Sequence, residues 1–259
     1  MPWTIEHHDG VATVTMNTNK ANAQNPSFFC DMHAALDRLE HEFPQAALVL
    51  TGQGSVFSAG LDFDHHFPLF ATMSRTAVRE WFDEYRATNL RLFTFPRPTV
   101  AAINGPAYAG GLITALACDY RVAVDSAQFS LNEVPIGIPM PSVYIEMMRH
   151  AIGPMPTSLL TLSGIVIDTA EAYRLGLVHE CCSTDLLAKA IAWAQKTPMD
   201  CREAYAYSKA ALLAPALENI ERISRRMDAE ELPKKMTHVS GLSAQRRRYE
   251  ELMKRSAHW

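Results

Sequence analysis

The stretch TVAAINGPAYAGGLITALACDYRVAVDSAQFSLNEVPIGI, Thr99 to Ile138, decides how the rest of the chain reads. Thr99 to Ile103 is apolar and leans toward β structure, and it ends at the turn signal Asn104-Gly105-Pro106. Gly110 and Gly111 then open Leu112 to Ala117, a run rich in helix formers. The order is strand, tight loop, helix N-terminus. Such a terminus on paired glycines offers unpaired backbone N–H groups and the positive end of a dipole. A second strand is expected at Tyr120 to Val124, and beyond it Glu133 stands alone among apolar neighbours. An anion-holding backbone and an isolated, desolvated carboxylate within one stretch suggest enolate chemistry.

Upstream, Val11 to Met16 reads as a strand running into the turn Asn17 to Lys20. A helix is expected after Asn25-Pro26, with Phe29, Met32, Leu36 and Leu39 on its apolar face. Ala46 to Leu50 reads as a buried strand, and Val56 to Asp62 (VFSAGLD) as a second tight turn in which Asp62 caps or orients the chain. Met73 to Phe93 has the pattern of one long amphipathic helix, and Pro96 and Pro98 deliver the chain into Thr99. Downstream, helices are expected at Ser142–Ala151, Thr157–Ser163, from Thr169 to near Gly176, and at Leu186–Trp193, with a short strand at Leu177–His179. From Cys201 the strand signal ends, and helices are expected at Ser208–Leu217, Leu217–Glu231 and Leu242–Met253. The pattern is an α/β core over residues 1–195 followed by a helical region over 196–259.

The chain has 259 residues and a formal net charge of −4, which exerts no overall pull toward nucleic acid or an anionic membrane. The N-terminal MPWTIEHHDG lacks the basic and apolar regions of a signal peptide, and no apolar run approaches the length of a membrane span. Five cysteines, odd in number and without a CxxC, suit a reducing cytosol, so a cytoplasmic location is expected. Cys181-Cys182 reads as packed thiols at a strand end. His65-His66 has no ligand spacing that supports a metal site; loop exposure is expected for the pair, with lining of an apolar pocket as the alternative. Phe67, Phe70 and Trp81 fit a core, a subunit contact or an apolar tunnel, and Arg246-Arg247-Arg248 a solvated helix face. There is no GxSxG, and Gly105 to Gly111 lacks both the GK[ST] of a phosphate loop and a GxGxxG.

Five ordered blocks, VFSAGLD (Val56–Asp62), AAINGPAYAGG (Ala101–Gly111), ALACDYRVA (Ala115–Ala123), FSLNEVPIGI (Phe129–Ile138) and AEAYRLGLV (Ala170–Val178), resemble the crotonase or enoyl-CoA hydratase/isomerase superfamily. The resemblance implies a spiral ββα-superhelix core and a C-terminal helical trimerisation region. It further implies acyl-CoA thioester substrates, a homotrimer or a hexamer of paired trimers, and no cofactor, CoA arriving as part of the substrate. It places the oxyanion hole on the backbone N–H groups of Ala59 and Gly110. Gly60, Leu61, Asp62 and Ile113 then border the substrate, and Lys20 and Ala23 lie where the family wraps the adenine end of CoA.

Hydratases of the family use two glutamates. The later one corresponds to Glu133, whereas the earlier position falls on Ile113, with Leu112 and Thr114 on either side. Water addition needs one group to deprotonate water and another to deliver a proton to carbon. One base in a dry pocket instead suits a 1,3-proton shift, and the pattern AGGLITALACDYR resembles Δ3,Δ2-enoyl-CoA isomerases in particular. The expected activity is therefore conversion of 3-enoyl-CoA to 2-trans-enoyl-CoA. The alternatives are a hydratase or another crotonase-type lyase or hydrolase, and, outside the enzymes, a non-catalytic acyl-CoA-binding member.

Overall fold

The core is set by strands whose side chains are apolar on both faces. The computed structural model describes residues 3–236, 247, 248, 250 and 251. Strands β1 (Thr4–His8) and β2 (Val11–Met16) form an antiparallel hairpin, followed by helix α1 (Pro26–Glu42) and β3 (Ala47–Gly52). Asn25 caps α1 by accepting from the Phe28 N–H at 3.1 Å, with Pro26 at the first helical position, as the Asn-Pro signal predicts. Helices α2 (Phe63–Thr72) and α3 (Arg75–Phe93) lead to β4 (Thr99–Ile103), β5 (Ala107–Tyr108) and α4 (Gly110–Leu116). Then come β6 (Tyr120–Val124), β7 (Gln128–Ser130), α5 (Ser142–Ile152), α6 (Pro154–Ser163), β8 (Ile167–Asp168) and α7 (Thr169–Arg174). The described chain continues through β9 (Glu180–Cys182), α8 (Leu186–Ala194), α9 (Arg202–Arg226) and α10 (Leu232–Met236).

The main sheet has the order β1-β2-β3-β4-β6-β9, parallel from β2 onward, and β5-β7-β8 form a second, small sheet. Every residue of β3 and β4 is buried, as expected of parallel strands covered on both faces. The period of two divides them: Ala47, Val49, Val100 and Ala102 face α8, while Leu48, Leu50, Ala101 and Ile103 join Phe28, Leu36 and Leu112 in the larger core. The Asn104-Gly105-Pro106 turn carries the chain from the main sheet into the second, so α4 starts between the two. No described helix is long and apolar enough to cross a membrane.

Four expectations need correction. The region before Ser74 is not loop: α2 forms there despite Pro68, and Ser74 restarts the chain as α3 by accepting from Ala77 N–H. The strand expected at Leu177–His179 lies at Glu180–Cys182, because the Leu177 and Val178 amides close the end of α7 by donating to Ala172 O after Gly176 (φ +74°). Helices expected at Ser208–Leu217 and Leu217–Glu231 are one helix, α9, which passes through Pro215 while its Leu213, Ala216 and Ile220 are buried, and it ends in a π-helical turn. His66 is not exposed; it is fully buried, while His65 is exposed. The helix expected at Leu242–Met253 lies mostly outside the described residues, as does Arg246; Arg247 and Arg248 are helical and exposed.

The helix α9 is tied to the core through Asp119, which follows α4. Its Oδ2 accepts from Thr99 N–H and Oγ–H, from Tyr205 O–H at 2.8 Å and from Lys209 Nζ at 3.0 Å. Lys209 is only 7% exposed, so removing its partner leaves a charge buried and unpaired. Asp119→Ala is expected to lower unfolding stability by about 3 kcal/mol in a urea titration, and adding Lys209→Met to restore part of it. A loss below about 1 kcal/mol would show that this pair does not anchor the helix.

Candidate active site

Two turns meet between the sheets. In the first, Ser58 Oγ donates to Asn22 O at 2.7 Å, and Gly60 takes φ +82°, which a side chain rarely adopts. A Cβ on Gly60 would also lie 2.8 Å from both Gly110 N and Tyr108 O, so this glycine lets the two turns touch. In the second turn Ala109 sits at φ 48°, ψ −125°, a strained setting for alanine, and opens α4. A Cβ on Gly111 would overlap Ser58 O, and one on Gly110 would overlap Tyr85 Oη and Gln24 Oε1. Both glycines are therefore required by close approach.

The donors at this junction differ in part from expectation. The Ala59 N–H is already committed to Ala21 O at 3.0 Å, so the role expected of Ala59 does not fall on it. The next amide able to serve belongs to Leu61, whose N–H makes no backbone hydrogen bond among the described residues. The Gly110 N–H is the first of α4 and has no intrahelical acceptor. With seven residues, α4 is short, so the local N–H matters more than a summed dipole.

Leu61 and Phe63 line two cavities at once. The outer one, about 570 Å³, is bordered by Lys20, Ala23, Ala59 and Asp62, which the structure thus brings together. Lys20 shares its wall with Asp62, Asp64 and Glu250, and Asp62 caps α2 by accepting from His65 N–H at 3.1 Å. The inner cavity, about 40 Å³, is lined by Phe63, Phe70, Phe82, Tyr85, Ile113, Glu133 and Tyr144 among others. It is far below the ~300 Å³ of an open ligand pocket.

Glu133 is the single acid of the inner lining, held in a turn in which its carbonyl accepts from Ile138 N–H at 2.9 Å. The residue as a whole keeps some exposure, yet its Oε2 is sealed off and has no hydrogen-bond partner. Burial of the carboxyl pushes its pKa up to about 7, against a smaller lowering from its own backbone N–H. Ile113, 1% exposed, contributes to the dry wall at the position expected for it.

Of three residues beside this site, the sequence reading assigned no site role to Gln24 or Tyr85 and expected His66 in an exposed loop. Gln24 is fully buried between the two turns. Tyr85, which patterned as core on α3, sends its hydroxyl to Gln24 Oε1 at 3.0 Å and lines the cavity with Glu133; burial, with the Glu133 charge adding, raises its pKa far above the usual range. His66 Nε2 lies 2.9 Å from Gln24 O; a carbonyl only accepts, so that nitrogen carries the proton, and burial lowers the His66 pKa to about 4. Phe70 lines the cavity, whereas Trp81 packs behind it against Phe70, His66 and Tyr85.

A family model described as enoyl-CoA hydratase/isomerase matches residues 6–259, and the chain belongs to that family. Its fold is the crotonase fold: the human mitochondrial delta3-delta2-enoyl-CoA isomerase structure superposes with a TM-score of 0.85 at 25% identity, covering 98% of this chain and 99% of that one. A putative enoyl-CoA hydratase of Thermus thermophilus is 38% identical over 176 residues, 65% of this chain and 66% of the relative, so the chain matches about two thirds of that relative's length. A probable enoyl-CoA hydratase, echA17, of Mycolicibacterium paratuberculosis is 31% identical over 222 residues, 84% of this chain and 85% of the relative.

Proposed function

We propose that this protein shifts the double bond of a 3-enoyl-CoA to give the 2-trans-enoyl-CoA, with Glu133 as the one acid–base group. The carrying observation is a lone carboxyl in a largely apolar cavity beside Ile113, its Oε2 buried without a hydrogen-bond partner. The thioester sits where the two cavities join, with the acyl chain inward and the CoA part outward past Lys20 and Ala23. The Glu133 carboxylate takes a proton from C2, and the electron pair moves into a dienolate whose oxygen accepts from the Leu61 and Gly110 N–H groups. The resulting carboxylic acid returns the same proton at C4, and the pair settles between C2 and C3. A carboxyl titrating near neutrality suits both halves of this transfer.

Hydration is the second reading, favoured by the names of the two sequence relatives. Against it, the inner lining carries no second carboxyl to divide the work of water activation and protonation. The test is an ultraviolet assay of conjugated thioester formation from trans-3-hexenoyl-CoA and trans-3-decenoyl-CoA, with crotonyl-CoA hydration followed in parallel. Isomerisation well above hydration is the expected result; hydration alone would refute the reading.

A further inference from the structure

One residue touches both halves of the proposed oxyanion site without lining the cavity, with its backbone on one and its side chain on the other. The Gln24 backbone brackets Leu61: its N–H donates to Gly60 O at 2.8 Å, and its carbonyl accepts from Asp62 N–H at 3.0 Å and from His66 Nε2 at 2.9 Å. In a trans peptide the C=O and N–H point opposite ways. Fixing Gly60 O toward Gln24 therefore turns the Leu61 N–H away from it.

The Gln24 side chain holds the other turn. Its Nε2 donates to Gly110 O at 3.1 Å and to Thr114 Oγ1 at 2.9 Å, while Oε1 accepts from Tyr85 O–H. The Gly110 carbonyl only accepts, which settles which end of the amide is nitrogen. Gln24 Oε1 and Tyr85 Oη also fill the space that a Cβ on Gly110 would occupy. The neighbouring Ala109 is strained, and rotation of its peptide with Gly110 is the motion that relieves the strain and swings the Gly110 N–H away.

We propose that Gln24 is a positioning residue that fixes the distance and direction of the Leu61 and Gly110 N–H groups relative to one another, so that both reach a single thioester oxygen. The proposal rests on the oxyanion site described above. Its backbone half survives any substitution at residue 24 except proline, which has no N–H; its side-chain half does not. Gln24→Met keeps the length and apolar volume of the side chain and removes every side-chain hydrogen bond.

The experiment measures steady-state isomerisation together with the ultraviolet band of bound 2,4-hexadienoyl-CoA, which moves to longer wavelength as its carbonyl is polarised. Gln24→Met is expected to lower kcat about 100-fold with KM within about threefold, and to lose most of the band shift at saturating protein. Thr114→Val removes one partner of the Gln24 amide and is expected to give a partial loss of both, about fivefold in kcat, and it decides the matter if Gln24→Met does not fold. An undiminished band shift in a folded Gln24→Met, or in Thr114→Val where that variant must decide, overturns the role of Gln24 alone. A wild-type protein that shifts the band but does not isomerise refutes the isomerase reading, and the variant's band still decides Gln24. Absence of any shift in the wild type overturns both.

Discussion

Glu133→Gln is expected to lower 3-enoyl-CoA isomerisation about a thousandfold or more while making the folded protein more stable at pH 8. The loss follows from the amide having no basic lone pair to take the C2 proton and no acidic proton to return at C4. Binding of acyl-CoA is expected to persist, because the Leu61 and Gly110 amides and the outer cavity are untouched. The gain in stability has the same origin as the activity. Burial raises the Glu133 pKa from an ordinary 4.5 to about 7, so between those values the folded chain holds a proton that the unfolded chain has released. The wild type therefore loses stability as pH rises through this window, by about 3 kcal/mol once above it. Glutamine has no charge to desolvate and escapes that loss. The two proteins should melt together near pH 4 and diverge as pH approaches 8, and the wild-type kcat/KM should climb through about pH 7. Equal melting temperatures at both ends would mean that Glu133 is solvated and that its burial does not tune it.

That Gly110 and Glu133 border one cavity was readable because both lie within one segment: Asn104-Gly105-Pro106, the paired glycines and Glu133 follow one another along the chain. The parallel strands were equally readable, since burial on both faces writes an unbroken apolar run such as AALVL. What the sequence concealed depends on pairing between distant segments. The short strands β5, β7 and β8 are too brief to show alternation, and β1 carries an exposed, charged pattern. Which amide of the Ser58–Asp62 turn is open depends on Ala21 and Gln24, almost 40 residues upstream, so Ala59 and Leu61 are indistinguishable until both strands of that contact are in place. Gln24 itself reads as a polar residue next to a helix cap, and only its burial against Gly110 and Tyr85 gives it meaning.

Gly110→Ala tests that contact from the other side. The added methyl would fall within 3.0 Å of Tyr85 Oη and Gln24 Oε1. The ends of flexible side chains ordinarily move aside, but here each is held: Tyr85 Oη by Gln24, and Gln24 by Gly110 O and Thr114. The methyl is therefore expected to push the first residue of α4 away, costing about 2 kcal/mol of stability and about 100-fold in kcat/KM as the N–H leaves the thioester oxygen. Combining it with Tyr85→Phe removes one of the two obstructing atoms and is expected to return part of the stability, measured by urea titration. The rate should stay low, because Gln24 Oε1 still displaces Gly110 and the phenol no longer steadies the amide. Recovery of stability and rate together would mean that the methyl acts by crowding alone. Recovery of stability without rate separates the packing of this turn from the placement of its N–H, and assigns the glycine to the latter.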